Sequence, residues 1–212
     1  MEVLSDNHYM TTDVAARFPI GAPYLIDWAT HCTYDIFGDD EIEAIKNFEL
    51  ALPDYEPATV RKDGDKAAID HAVRECDVNW LRPNPGNRWF YEKVGHAAQE
   101  ANSFRWRCEL PGFNEPLQYT RYRGEDNHHY EWHMDMGAGR LSLRKISFSL
   151  ILQNAEEGGD FEIFTQQQIL TLDKLTVGSL LFFPSYIMHR VTPIIRGERI
   201  SIVGWLGGLP YK

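Results

Sequence analysis

Apolar positions change their spacing along this chain, and the change divides it in two. Between residues 39 and 52 (DDEIEAIKNFELAL), Ile42, Ile45, Phe48 and Leu52 recur near the helical period, with Asp40 and Glu43 placed as a capping-box-like start. The spacing predicts an amphipathic helix. The next stretch, PDYEPATVRKDGDKAAIDHAVRECD, is polar and broken by Pro and Gly, which predicts loops or short strands. Around residues 88–102, Phe90, Val94, Ala97, Ala98 and Ala101 form one apolar stripe while Glu92, Lys93 and Gln99 face away, which predicts a second helix.

From Phe104 onward the pattern shortens to runs rich in β-branched and aromatic residues: FRWRCEL, LQYTRY, YEWHMD, KISFSLIL, DFEIF, VGSLLFF, YIMHRV and RISIVGWL. Many short strands between turn residues, of which Gly158-Gly159-Asp160 and Pro184-Ser185 are the clearest, imply an antiparallel barrel or sandwich. The expected fold is therefore mainly β with supporting α-helices. A helical layer over about 1–103 braces a double-stranded β-helix, or jelly roll, over about 104–206, within a single domain spanning 1–212. No repeat, low-complexity tract or interdomain linker interrupts it.

Composition narrows the function classes. A formal charge of −10 argues against general duplex binding, since that affinity comes from cations neutralising phosphates. Cys32, Cys76 and Cys108 are sparse, odd in number and without zinc-site spacing, which suits reduced thiols in the cytoplasm. The N-terminus, MEVLSDNHYMTTD, does not read as a secretory signal, and no segment approaches the roughly 20 apolar residues that cross a bilayer. A cytoplasmic protein without a membrane span is expected.

The candidate chemistry lies in HHYEWHMDM. On a strand His133 and Asp135 share one face, and His189, 54 positions after Asp135, lies in another strand-like run that barrel closure could bring beside them. Two histidines and a carboxylate on one face of an octahedron leave three positions open, the arrangement of non-heme Fe(II) oxygenases. His129 shares the alternation and is a competing ligand. Arg199, ten residues after His189, alternates with Ser201, Val203 and Trp205, so it faces a barrel interior while Ile200 and Ile202 face an outer apolar layer. There it could bind a carboxylate bidentately; on a surface it would pair with Glu198 or Asp173.

The series YRGEDNHHYEWHMD, EEGGDFEIF, VGSLLFFPSYIMHRVTPI and GERISIVGW resembles the prolyl 4-hydroxylase-like branch of the Fe(II)/2-oxoglutarate oxygenases over roughly residues 115–206. That resemblance implies Fe(II) held by His133, Asp135 and His189, with 2-oxoglutarate and O2 as cosubstrates. Arg199 would hold the far carboxylate of 2-oxoglutarate, and Tyr122 matches an active-site tyrosine, which leaves it either a contact to cosubstrate or substrate or an aromatic that only packs the barrel. The chain departs from the pattern in KISFSLIL, where no second cosubstrate tyrosine stands; Ser147 or Ser149 could supply that hydroxyl.

The implied activity is hydroxylation of a C–H bond with formation of succinate and CO2. A prolyl or other amino-acid residue in a protein or peptide is the first substrate expected, and a small molecule is the other. Two different classes stand beside it: a noncatalytic sensor or scaffold that binds metal and 2-oxoglutarate, and a cupin-like metal oxygenase that does not use 2-oxoglutarate and gives Arg199 no role.

Overall fold

The computed structural model describes residues 30–62, 66–165, 168–172 and 175–209. The N-terminal stretch considered for a secretory signal, and Asp173, considered as a partner of Arg199, lie outside the described residues.

In chain order, β1 (Cys32–Tyr34) leads into α1 (Asp39–Lys46), which tightens into a 3-10 turn over Asn47–Ala51. Short strands follow: β2 (Glu56–Pro57), β3 (Val60–Lys62), β4 (Lys66–Ala68), β5 (Arg74–Glu75) and β6 (Asp77–Leu81). Then come α2 (Arg88–Phe104), β7 (Gly112–Phe113), β8 (Leu117–Arg123), β9 (His129–His133) and a 3-10 turn at Gly139–Leu143. The remainder is β10 (Arg144–Gln153), β11 (Glu157–Gly158), β12 (Phe161–Phe164), β13 (Ile169–Thr171), β14 (Leu180–Pro184), β15 (His189–Val191), β16 (Ile194–Arg196) and β17 (Glu198–Gly207).

The large antiparallel sheet runs β1-β14-β10-β17-β8-β6-β2, with β7 also paired to β17. The small one runs β13-β12-β15-β9-β5. Two apolar clusters show how they pack. Alternate residues of β14 go to opposite sides: Leu180 and Phe182 join Phe148, Leu150, Ile200 and Ile202 beneath the helices, while Leu181 and Phe183 meet Phe161, Ile163 and Val191 of the small sheet. The second cluster is the interior of a double-stranded β-helix. Each fully buried Phe or Leu of these layers contributes about 1.5–3 kcal/mol.

Helix α2 buries the expected stripe, Phe90, Val94, Ala97, Ala98 and Ala101, against the large sheet. In α1 the capping residues differ from those expected: Gly38 is the N-cap, and its N–H donates to Glu41 at 2.9 Å. Glu41 also accepts from Lys93 of α2 at 2.6 Å, so one carboxylate caps the first helix and ties it to the second. The segment before residue 104 is not only a helical brace. Strand β6 pairs with β8 of the large sheet and β5 with β9 of the small one, with Cys76 alone between them, so this segment links the two sheets along one side.

Several runs read as strands are not strands throughout, FRWRCEL and YIMHRV among them. FRWRCEL begins in the last turn of α2 and continues as an irregular connection in which Arg107 has φ 53°. The Asn102 side chain brackets Cys108 there, accepting from its N–H and donating to its carbonyl, both at 2.8 Å, so these backbone groups are satisfied without a sheet. In YIMHRV a turn closed by Ile187 N–H donating to Pro184 at 2.9 Å precedes β15.

Candidate metal and cosubstrate site

Strands β9 and β15 pair with His133 directly opposite His189, and a register shift separates that pair from Tyr130 and Val191. Their imidazole centres are 4.1 Å apart. Asp135 does not share a regular strand with His133, as the alternation suggested, because β9 ends at His133. A bend carries Asp135 back instead. Met136 N–H donates to the Ser185 carbonyl at 2.9 Å, and Arg144 Nη1 donates to the Asp135 carbonyl at 3.2 Å, which fixes the bend on both sides of the carboxylate.

The result is a convergent donor set. Asp135 Oδ1 lies 3.6 Å from His133 Nε2, and Oδ2 lies 3.7 Å from His189 Nε2. One ligand atom from each residue falls within 4.8 Å of the others, an arrangement that could hold a metal ion. His133 Nδ1 is 2.7 Å from the Glu131 carbonyl and His189 Nδ1 is 2.8 Å from that of Ile187. A carbonyl only accepts, so each Nδ1 carries the proton and each Nε2 turns its lone pair toward Asp135. His129 does not join them; its Nδ1 lies 3.2 Å from the Asn127 carbonyl.

Electrostatics suit the same role. Burial pushes the His189 imidazole down to about 4, with His133 adding to the effect and Asp135 opposing it, so His189 is neutral near pH 7. Burial alone would raise the Asp135 carboxyl, but His189, His133 and Arg144 outweigh it and hold it well below the usual carboxylate range. Aromatic rings enclose the donors: Phe161 stacks on His189 at 5.3 Å, Phe183 meets its edge at 4.6 Å, and Tyr130 stacks on His133 at 3.4 Å.

Arg199 points into the barrel and is only 3% exposed. Its Nη1 donates to Ser201 Oγ at 3.0 Å, and its guanidinium carbon lies 5.8 Å from the Tyr122 ring, the residue opposite it on β8. Among the described residues no carboxylate pairs with it. Glu198 instead turns to Arg123 at 3.4 Å. Burial pulls the Arg199 guanidinium down from its ordinary value while Tyr122, Cys76 and Asp160 favour the charged form. Beside it the chain turns through Gly158 and Gly159 at φ +77° and +74°, and a cavity of about 230 Å³ opens there, lined in part by both glycines, Asp160, Phe161 and Arg199.

The structure separates the two serines of KISFSLIL. Ser147 is engaged with Ser185 Oγ at 2.9 Å, whereas the buried Ser149 hydroxyl has no partner among the described residues. Tyr122 is buried, and burial, with Cys76, pushes its hydroxyl up. Trp205 is also buried and carries the Arg144 guanidinium on its indole. Arg144, Glu115, Tyr130 and Arg74 were not foreseen from the sequence. Arg144, the charged residue just before the run KISFSLIL, carried no signal beyond that position; Arg74 sits in a stretch without periodicity.

A buried cation and a buried hydroxyl, each without its partner among the described residues, and a two-histidine, one-carboxylate cluster together fit ferrous iron and a dicarboxylate. Comparison with known proteins agrees. A family model for the 2OG-Fe(II) oxygenase superfamily matches residues 117–207, from the first residue of β8 to the last of β17. A PKHD-type hydroxylase of Rippkaea orientalis is 30% identical over 153 residues, which are 69% of this chain and 67% of that protein. Another, of Hyphomonas neptunium, is 42% identical over 83 residues, 36% of this chain and 37% of that protein. The match to a third, of Crocosphaera subtropica, spans 43% of its length, so the chain covers less than half of these latter two relatives.

Solved structures share the fold. A prolyl-4-hydroxylase of Pseudomonas putida superposes with a TM-score of 0.65 at 18% identity, covering 85% of this chain and 93% of that one. A prolyl hydroxylase of Trichoplax adhaerens, in complex with a hypoxia inducible factor peptide fragment, gives 0.65 at 14% identity, covering 84% and 83%. With its double-stranded β-helix, its convergent donors and these relatives, the chain belongs to the 2OG-Fe(II) oxygenase superfamily.

Proposed function

We propose that this chain is an Fe(II)- and 2-oxoglutarate-dependent dioxygenase that hydroxylates a C–H bond, with a prolyl or other amino-acid residue of a protein or peptide as its substrate. The observation that carries the reading is the pairing, in one barrel, of the His133, Asp135 and His189 cluster with a buried Arg199 that has no acidic partner among the described residues. The substrate class draws on the hydroxylases among its relatives and on the prolyl hydroxylases that share its fold.

Bound at the three donors, ferrous iron with 2-oxoglutarate and O2 supplies the oxidising chemistry, yielding succinate, CO2 and a hydroxylated product. The chain's own residues prepare for it. Glu131 and Ile187 carbonyls fix the imidazole tautomers, and the Arg144 contact fixes the backbone of Asp135. Arg199 would hold the distal carboxylate, with Ser149 as the added hydroxyl donor and Tyr122 beside them. Phe161 and Phe183 keep water from His189. No residue is needed as a nucleophile.

The same reading puts the protein in a reducing, cytoplasmic setting, supported by Cys32, Cys76 and Cys108, none of which forms a disulfide among the described residues. No described helix is long and apolar enough to cross a membrane.

The test is an anaerobic titration with Fe(II) and then 2-oxoglutarate, following the visible charge-transfer band. Wild type should show it, His189→Ala should lose it with the metal, and Arg199→Ala should keep the metal but need far more 2-oxoglutarate. Bound iron with no band in wild type would sink the proposal and favour a cupin-like oxygenase. Tight 2-oxoglutarate binding without succinate under any substrate condition would favour a sensor.

A further inference from the structure

Arg74 is a second buried cation in the barrel, and the chemistry described so far gives it nothing to do. It stands on edge strand β5 opposite Tyr130 of β9, so both side chains face the same side of the small sheet, and it is 7% exposed. Its partners are neutral: Nε reaches Cys76 Sγ and Nη2 donates to Gln118 Oε1, each at 3.2 Å. Its guanidinium carbon lies 4.6 Å from the centre of the Tyr130 ring. Among the described residues no carboxylate pairs with it.

A guanidinium keeps its charge when buried, and a charge withheld from water without a counter-ion is costly. Two neutral hydrogen bonds and one aromatic ring offset part of that cost. They also leave donors unused, because a guanidinium carries five N–H groups.

Placement says which ligand group would use them. The Tyr130 ring that holds Arg74 is itself stacked on His133 at 3.4 Å, so Arg74 is one ring away from the metal donors. Arg199 belongs to the large sheet and lies beside the Gly158-Gly159 turn. Tyr122 stands within the field of both: burial and Cys76 push its hydroxyl up, while Arg74 and Arg199 pull it the other way. Among the described residues the interior thus offers two cations without a carboxylate partner, one a ring away from the metal donors and one beside the glycine turn, to a dianion that carries a carboxylate at each of its own ends.

We propose that Arg74 is a second cationic contact for 2-oxoglutarate, holding the carboxylate next to the 2-oxo group while Arg199 holds the distal one; this rests on the proposed use of 2-oxoglutarate.

The test compares 2-oxoglutarate with 2-oxopentanoate, a 2-oxo acid of the same chain length without the distal carboxylate. Both are titrated anaerobically into the Fe(II)-loaded protein, and dissociation constants are read from the charge-transfer band. Arg74→Gln should weaken both ligands by about 10- to 100-fold, the worth of a charge-assisted contact. Arg199→Gln should weaken 2-oxoglutarate only. Arg74→Lys should recover part of the loss, and it carries the same comparison if Arg74→Gln does not fold. The Fe(II) affinity of the Arg74 variants, measured without any 2-oxo acid, should match wild type, which a merely structural role would not guarantee. Unchanged 2-oxo acid affinity in the Arg74 variants overturns the inference, and so does a loss confined to 2-oxoglutarate. Absence of any band in wild type overturns the proposed function itself, a result distinct from a wild-type band that the Arg74 variants retain.

Discussion

The Arg144 guanidinium lies over the Trp205 indole, 3.4 Å from the ring centre, and this stack sets the position of a metal-site residue that neither side chain coordinates with. From that perch Arg144 grips Glu115 through two bonds of 2.6 and 2.7 Å and donates to the Asp135 carbonyl at 3.2 Å. Arg144→Ala should therefore weaken Fe(II) binding by about 10- to 100-fold, the usual scale for supporting contacts around a metal site. Arg144→Lys should fall short of rescue, because a point charge cannot reproduce the planar fork or the stack. A chelator-competition titration checks both, and wild-type metal affinity in Arg144→Ala would show that the bend at Asp135 holds itself.

The two serines on the inward face of β10 should respond with opposite signs. Ser149 carries a buried hydroxyl with no partner among the described residues, so Ser149→Ala removes an unpaid desolvation cost and should stabilise the metal-free protein by about 1 kcal/mol, while weakening 2-oxoglutarate binding. Ser147→Ala strands the Ser185 hydroxyl and should destabilise by about 1–2 kcal/mol with 2-oxoglutarate affinity unchanged. Urea denaturation and the charge-transfer titration separate the pair.

How much of this could be read from the sequence follows the range of the physics involved. Alternation within RISIVGW correctly turned Arg199 inward, and the stripe from Phe90 to Ala101 correctly marked the buried face of α2, because both are set by local period against one packed surface. The bend at Asp135 was not legible, since it depends on Ser185 and Arg144, which contact it only in the fold. FRWRCEL has the composition of a strand, yet the Asn102 side chain satisfies the Cys108 backbone and removes the need for one. Arg74 was hidden for a related reason: a two-residue strand has no period, and only its pairing with Tyr130 sets it over that ring.

Metal binding should stabilise the fold measurably. The donors of His133, Asp135 and His189 already converge, so a divalent ion binds the native state and not the unfolded chain. At a hundredfold excess over its dissociation constant this contributes about 2.7 kcal/mol. For a chain of this size that raises Tm by roughly 5–10 °C. Manganese(II), which avoids oxidation during the scan, should give the shift in wild type, and His189→Ala should abolish it. An equal shift in that variant would locate the bound ion elsewhere.

Two glycines in left-handed backbone test how tightly the turn beside Arg199 is built. Gly158 has φ +77°, and a Cβ there would lie 2.2 Å from the Pro193 carbonyl oxygen and 3.0 Å from Ile195 N, both backbone atoms that cannot swing aside. Gly178 has φ +92°, but its nearest neighbour would be the Ile42 side chain at 3.7 Å. Gly178→Ala should thus cost only the conformational term, about 1–2 kcal/mol. Gly158→Ala adds a clash that must move β16, and should cost about 1–3 kcal/mol more. Because Gly158 and Arg199 line the same cavity, Gly158→Ala should also weaken 2-oxoglutarate binding, which Gly178→Ala should leave intact. Urea melts of the two variants give the stability difference, and equal costs would mean that the turn yields freely and does not hold Arg199 in place.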